Sequence, residues 1–168
     1  MGGSVSLLMG SPAAARRLPR LSKGIIGSHV YWRIYITASD SVDPWKAQIG
    51  EMEYRATLGG ADQAAGGTAT ASSTYSSFPP ANGFDDDTAT SWACDIDVAL
   101  PQWLQYQFSS AVEVAQVAIT SGITEARADR APNDFLIQYS DDGSNWTTAL
   151  SVAGEPDWGV TETRLYAI

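Results

Sequence analysis

Apolar side chains recur at every second position in several separate stretches of this chain, a period that predicts strands rather than helices. From His29 to Thr37, the side chains of Val30, Trp32, Ile34 and Ile36 fall on one face. From Gln48 to Leu58 the apolar positions are Ile49, Met52, Tyr54 and Ala56, with the acids Glu51 and Glu53 expected together on the opposite face. After Pro101, the residues Trp103, Gln105 and Gln107 alternate with Leu104, Tyr106 and Phe108. A continuous strand is expected from Ala111 to Thr120, and others over Asp134–Ser140, Trp146–Val152 and Thr161–Ile168. Gly59 to Thr70 reads as a Gly/Ala linker, after which Ala71–Tyr75 reopens the sheet, and Ser121–Asn133 reads as a long polar loop. Asp141-Asp142-Gly143-Ser144 is a turn in which Gly143 can supply positive φ. Many short strands with few helical runs predict an all-β protein, an antiparallel β-sandwich over residues 29–168.

Length and charge refine this picture. The 168 residues fit one domain plus a tail, and six Trp, seven Tyr and four Phe are ample for a core without staples. Cys94 is the only cysteine, so no internal disulfide can form. No apolar run reaches the ~18 residues of a membrane span, and Val5–Met9 is too short for a secretion signal, so neither is expected. The net charge of −9 splits into +5 for residues 1–39 and therefore −14 for the rest. An acidic body disfavours nucleic acid as a partner, because phosphate contacts need a basic face. Residues 1–28 carry Arg16, Arg17, Arg20 and Lys23 among Gly, Ser, Ala and Pro, and cannot build a core alone. They are expected to form an extended basic arm for assembly, joining other copies or neighbouring proteins.

The densest chemistry lies in Phe84-Asp85-Asp86-Asp87-Thr88-Ala89-Thr90-Ser91-Trp92. Three adjacent carboxylates repel one another unless a cation or solvent relieves them, and a short acidic turn supplies several oxygens to a hard cation at once. A solvated Asx turn is the alternative. Catalysis has little support. His29 is the only histidine and has no triad partner in sequence, Cys94 has no CxxC companion, and no glycine-rich phosphate loop is present.

The pattern Phe84-Asp85-x-Asp87-x-x-Thr90-x-Trp92, followed by Pro101-Gln102-Trp103-Leu104-Gln105 and by Arg130 to Thr147, resembles the discoidin family. That family is also called the coagulation-factor type C or galactose-binding-like domain. The resemblance implies a jelly-roll β-sandwich that is non-enzymatic, often stabilised by calcium, and binds glycans or other ligands through loops at one end. It implies a structural Ca²⁺ held by Asp85, Asp87 and Thr90, with Glu51 (or Glu53) closing the shell. The strands resembling Tyr31–Thr37 and Gly50–Tyr54 come last in the common family order and first here. The order is thus similar to a circular permutation, with Gly59–Thr70 bridging the old ends. On that reading His29–Thr37 is expected beside Thr161–Ile168.

Permuted modules of this kind are similar to those of tailed-bacteriophage virion proteins, which implies a virion location after assembly in the host cytoplasm. Two functions follow from the resemblance: a surface module that adheres to host or environmental glycans, and a purely structural decoration or tail protein. A free lectin-like module of a larger enzyme system is a third reading, disfavoured by the basic arm. Trp45 and Trp158, in loops, are the candidate sugar platforms. Arg127, Asp129 and Arg130, in the longest loop, are the candidate polar contacts. Trp92, Trp103 and Trp146 are expected in the core.

Overall fold

The computed structural model describes residues 26–42 and 44–168. They form an antiparallel β-sandwich of ten strands: β1 (His29–Ser39), β2 (Gln48–Ile49), β3 (Glu51–Arg55), β4 (Thr68–Ala71), β5 (Trp92–Ala93), β6 (Gln102–Val112), β7 (Gln116–Thr120), β8 (Pro132–Ser140), β9 (Thr147–Val152) and β10 (Thr163–Ala167). A five-stranded sheet has the order β4-β6-β1-β8-β9, a three-stranded sheet the order β10-β7-β3, and β2 pairs with β5 alone. Among the described residues a single α-helical turn, α1, spans Glu125–Ala128. Among the described residues no helix is long and apolar enough to cross a membrane.

Period-2 alternation explains the large sheet. Trp32, Ile34 and Ile36 of β1 point inward and are fully buried. Antiparallel pairing sets them beside Tyr106, Leu104 and Gln102 of β6, and beside Tyr139, Ile137 and Phe135 of β8. From the other sheet, Met52 and Tyr54 of β3 and Val117 and Ile119 of β7 close the core. Each such side chain contributes about 1.5–3 kcal/mol on burial. Tyr54 lies 6.0 Å from Phe84 and 5.6 Å from Phe108, which ties the acidic turn to both sheets.

Several expectations are corrected. β1 does not lie beside the C-terminal strand: it pairs with β6 and β8, and β10 pairs with β7 in the opposite sheet. A strand with so apolar an inner face takes a central position, whereas the alternately exposed Thr163–Ala167 suits an edge. The expected single strand Ala111–Thr120 is divided, because the chain leaves the large sheet at Val112 and enters the small one at Gln116. Val114 is buried at the crossing. Gln48–Leu58 is divided at Gly50, whose missing side chain lets the backbone press against the Ser121 carbonyl. Glu51 and Glu53 share the face opposite Met52 and Tyr54, as expected, but Glu51 is covered there while Glu53 is only half-buried. The linker after Gly59 already contains a strand, β4.

The proposed assembly residues Arg16, Arg17, Arg20 and Lys23 lie outside the described residues. Ile26, near the expected arm boundary, packs against the core.

Candidate functional site

Three loops meet at one end of the sandwich: residues 40–47 between β1 and β2, residues 72–79 after β4, and residues 121–131 between β7 and β8. The second is pinned to β5, since Tyr75 N–H donates to the Ala93 carbonyl (3.0 Å) and Ala93 N–H to that of Phe78 (3.3 Å). The third is fixed through Gln48, a fully buried amide. Gln48 N–H donates to the Arg130 carbonyl at 3.0 Å, its Oε1 accepts from Arg130 Nη1 at 3.0 Å, and its Nε2 donates to Ser91 Oγ at 2.7 Å. Both polar atoms of this side chain are thus hydrogen-bonded to loop residues, as burial of an amide requires.

Between the loops lies a cleft of about 290 Å³ lined by Trp45, Tyr75, Phe78, Ala93, Thr124, Arg127 and Arg130. Trp45 and Tyr75 meet edge to face (5.4 Å, 81°), and Tyr75 stacks on Phe78 (6.0 Å, 24°). The guanidinium of Arg130 lies 4.7 Å from the Trp45 ring centre and that of Arg127 5.1 Å from Phe78. Flat apolar faces thus alternate with planar donors, the combination that holds a polar ligand with C–H faces. No carboxylate lines the cleft among the described residues. A wider hollow of about 440 Å³, lined by Val42, Pro44, Lys46 and Asp97–Ala99, has no aromatic ring.

Three of the five candidate ligand residues, Trp45, Arg127 and Arg130, therefore line one cleft. Asp129 is exposed and outside its lining. Trp158, expected as an exposed platform, is instead only 5% exposed. Its Nε1 donates to the Pro132 carbonyl at 3.0 Å, and Arg164 covers its ring at 4.1 Å. Arg164 is in turn held by Glu155 and Glu162 at 2.8 Å. The sequence reading missed Gln48, Tyr75 and Phe78. Tyr75 and Phe78 flank two serines before Pro79-Pro80, and only the pairing of β2 with β5 brings them to Trp45.

The acidic turn shows an excess of acceptors. Thr90 Oγ1 lies 2.9 and 3.0 Å from the two carboxylate oxygens of Asp85, 3.1 Å from the Asp87 carbonyl and 3.3 Å from the Asn82 carbonyl. One hydroxyl proton cannot serve four acceptors. Asp87 contributes to this cluster through its carbonyl, while Oδ1 of its carboxylate accepts Ala89 N–H at 2.9 Å. Glu51 is 3% exposed; its Oε1 accepts Met52 N–H at 3.2 Å, and its Oε2 is buried without a partner. Burial, reinforced by the nearby charges of Asp85, Asp86 and Asp62, raises its pKa to about 8. An orphaned carboxylate oxygen beside converging acceptors fits a hard cation. Among the described residues, however, no three ionisable ligand side chains already stand close enough to share an ion.

Compared with known families, residues 68–165 match the F5/8 type C domain. The match runs from the start of β4 into β10 and leaves β1, β2 and β3 outside it. No curated protein matches the chain, and no solved structure does.

Proposed function

The chain belongs to the F5/8 type C domain family, and from that membership we propose that it is a non-enzymatic module that binds a glycan in the Trp45–Tyr75–Phe78 cleft. The observation that carries this reading is the convergence of three rings and two guanidinium groups, from three separate loops, on one cleft braced by the buried Gln48. Sugar C–H faces stack on the rings, and Arg127 donates to hydroxyl or carboxylate oxygens at the rim. A single shallow cleft of this size binds weakly, and many displayed copies gain by avidity.

Calcium belongs to the same proposal. Asp85, Thr90 and the carbonyls of Asn82 and Asp87 would hold it, with Glu51 reaching from β3. The ion would supply positive charge that neutralises the crowded oxygens and clamps the turn to the small sheet. The virion setting, with assembly through the basic residues 1–28, rests on the block order and charge distribution of the sequence. A permuted family order is supported by the family match, which lacks the central strand β1 that the sandwich cannot do without.

The test is calorimetry of the full chain against a broad glycan panel, with Arg127→Ala and Tyr75→Ala beside the parent. Loss of one charged hydrogen bond weakens binding about tenfold or more. Binding unaffected by both substitutions places the ligand elsewhere. No binding by monomer or assembled particle favours the purely structural alternative.

A further inference from the structure

We propose that the outer face of the five-stranded sheet is a second binding surface, for an extended, uncharged β-linked polysaccharide, separate from the loop cleft. The registers set Tyr31, Arg33 and Tyr35 of β1 opposite Gln107, Gln105 and Trp103 of β6. Since the alternate residues Trp32, Ile34, Leu104 and Tyr106 are in the core, these six share the outward face. Trp146 joins them from the turn before β9, its ring centre 3.9 Å from the Arg33 guanidinium. The four aromatic residues are half-buried, held in place yet reachable.

Charge on this face decides what it suits. Residues 40–168 carry −14, yet no carboxylate stands in the rows from Tyr31 to Tyr35. Asp134, at the end of β8, is engaged by Gly154 N–H at 2.7 Å. The one cation is covered. Arg33 Nε donates to Gln138 Oε1 at 2.8 Å, and its guanidinium also lies 5.1 Å from Tyr35 and 5.9 Å from Trp103. Burial accordingly lowers the Arg33 pKa. An anionic polymer needs several accessible cations, and this face offers none.

A second copy of the chain fits no better. The large exposed aliphatic side chains Val42, Leu58, Ile96, Ile123, Val160 and Leu165 all lie elsewhere, so this face lacks the apolar core of a tight homodimer. Rings and neutral amides complement a neutral sugar chain. The amides of Gln105 and Gln107 make no hydrogen bond among the described residues and are available to hydroxyls. Tyr35 and Trp103 are direct cross-strand partners on this face, their backbones at the ~5 Å strand spacing. The face continues along β1 to Tyr31, about 13 Å away at the strand rise. A β-1,4-linked chain is a flat ribbon that follows such a row, whereas a flexible α-linked chain such as dextran does not.

The experiment is native affinity electrophoresis of the full chain in gels containing hydroxyethyl cellulose, xylan or galactomannan. Dextran and polygalacturonate gels serve as controls. Retardation is expected in at least one of the three β-linked gels and in neither control. Trp103→Ala and Tyr35→Ala should each weaken it at least tenfold and Gln105→Ala severalfold, while Arg127→Ala leaves it unchanged. Unaltered melting temperatures establish folding, and should Trp103→Ala not fold, Tyr35→Ala and Gln105→Ala carry the test. No retardation in any of the three gels overturns the proposal. So does retardation that survives both ring substitutions, or that is lost in Arg127→Ala alone, which returns the ligand to the cleft. Concentration-dependent dimerisation abolished by Trp103→Ala would make the face an interface between copies, and also overturns it.

Discussion

Replacing Glu51 with glutamine should stabilise the calcium-free protein at neutral pH, although it removes a residue proposed to bind the ion. In the folded chain this carboxyl is 3% exposed, has one oxygen without a partner, and titrates near 8 instead of its ordinary 4.5. Below pH 4.5 both folded and unfolded states hold the proton, and the site's full stability is present. As the pH rises from 4.5 to 8, the unfolded chain releases a proton that the folded one retains, so stability falls. By pH 7 the accumulated loss is about 3 kcal/mol, from ~1.4 kcal/mol per pH unit of differential protonation. Glutamine has no proton to release and escapes this loss, which corresponds to about 6–12 °C in melting temperature for a chain of this size. The assay is thermal melting of parent and Glu51→Gln in chelator near pH 4 and near pH 7.5, then with calcium. The gain should be large at the higher pH and small at the lower one. Calcium at ~100 times its Kd should add about 2.7 kcal/mol to the parent, and less to the variant, narrowing the gap. A pH-independent difference, or a variant less stable in chelator near pH 7.5, refutes the burial argument. Melts of the parent that ignore calcium refute the metal.

Two further substitutions probe how the cleft is supported. A side chain at Gly122 would collide with the Cβ of Arg127 and approach its carbonyl carbon at 2.9 Å. Gly122→Ala should therefore displace the 123–130 loop and weaken binding in the cleft severalfold by calorimetry, with retardation on the sheet face unchanged. Trp158→Ala should cost about 3–5 kcal/mol in denaturant unfolding yet leave glycan affinity of the folded fraction intact, because its ring is packed under Arg164. Lost affinity with unchanged stability would restore Trp158 to the ligand site.

Strands with a strong inner face were legible, because alternation of large apolar and polar residues is itself the physical cause of β1, β6 and β8. A change of sheet shows only as a slip of phase, which a reading of alternation passes over. In Ala111–Thr120 the large apolar residues move from Val112 and Val114 to Val117 and Ile119, and the backbone crosses the sandwich between them, after Val112. β4, with the sequence Thr-Ala-Thr-Ala, buries too little to stand out from a linker. Glu51 lies on the face that alternation predicts, but alternation does not report that this position is covered while that of Glu53 stays half-open. The cleft was half legible: Trp45, Arg127 and Arg130 announced themselves as loop residues, but their convergence with Tyr75 and Phe78 depends on the β2–β5 pairing and on an unremarkable glutamine. Trp158 shows the opposite error, since a loop address in sequence does not prevent a ring from being buried.

The central position of β1 also governs how the chain can reach its native state. Its neighbours are Gln102–Val112 on one side and Pro132–Ser140 on the other, so the strand at the middle of the sheet leaves the ribosome well before either partner. Until Ser140 has emerged, Trp32, Ile34 and Ile36 have no complete sheet to enter, and both backbone edges of β1 stay open. Closing such distant pairs sacrifices loop entropy before contacts repay it, which places folding on the order of milliseconds to seconds. Nascent chains in a polysome hold the same apolar strand with two unsatisfied edges, the arrangement most prone to pairing between molecules. Chains terminated before Pro132 should collect in inclusion bodies as β-rich aggregates, while the finished sequence stays in solution.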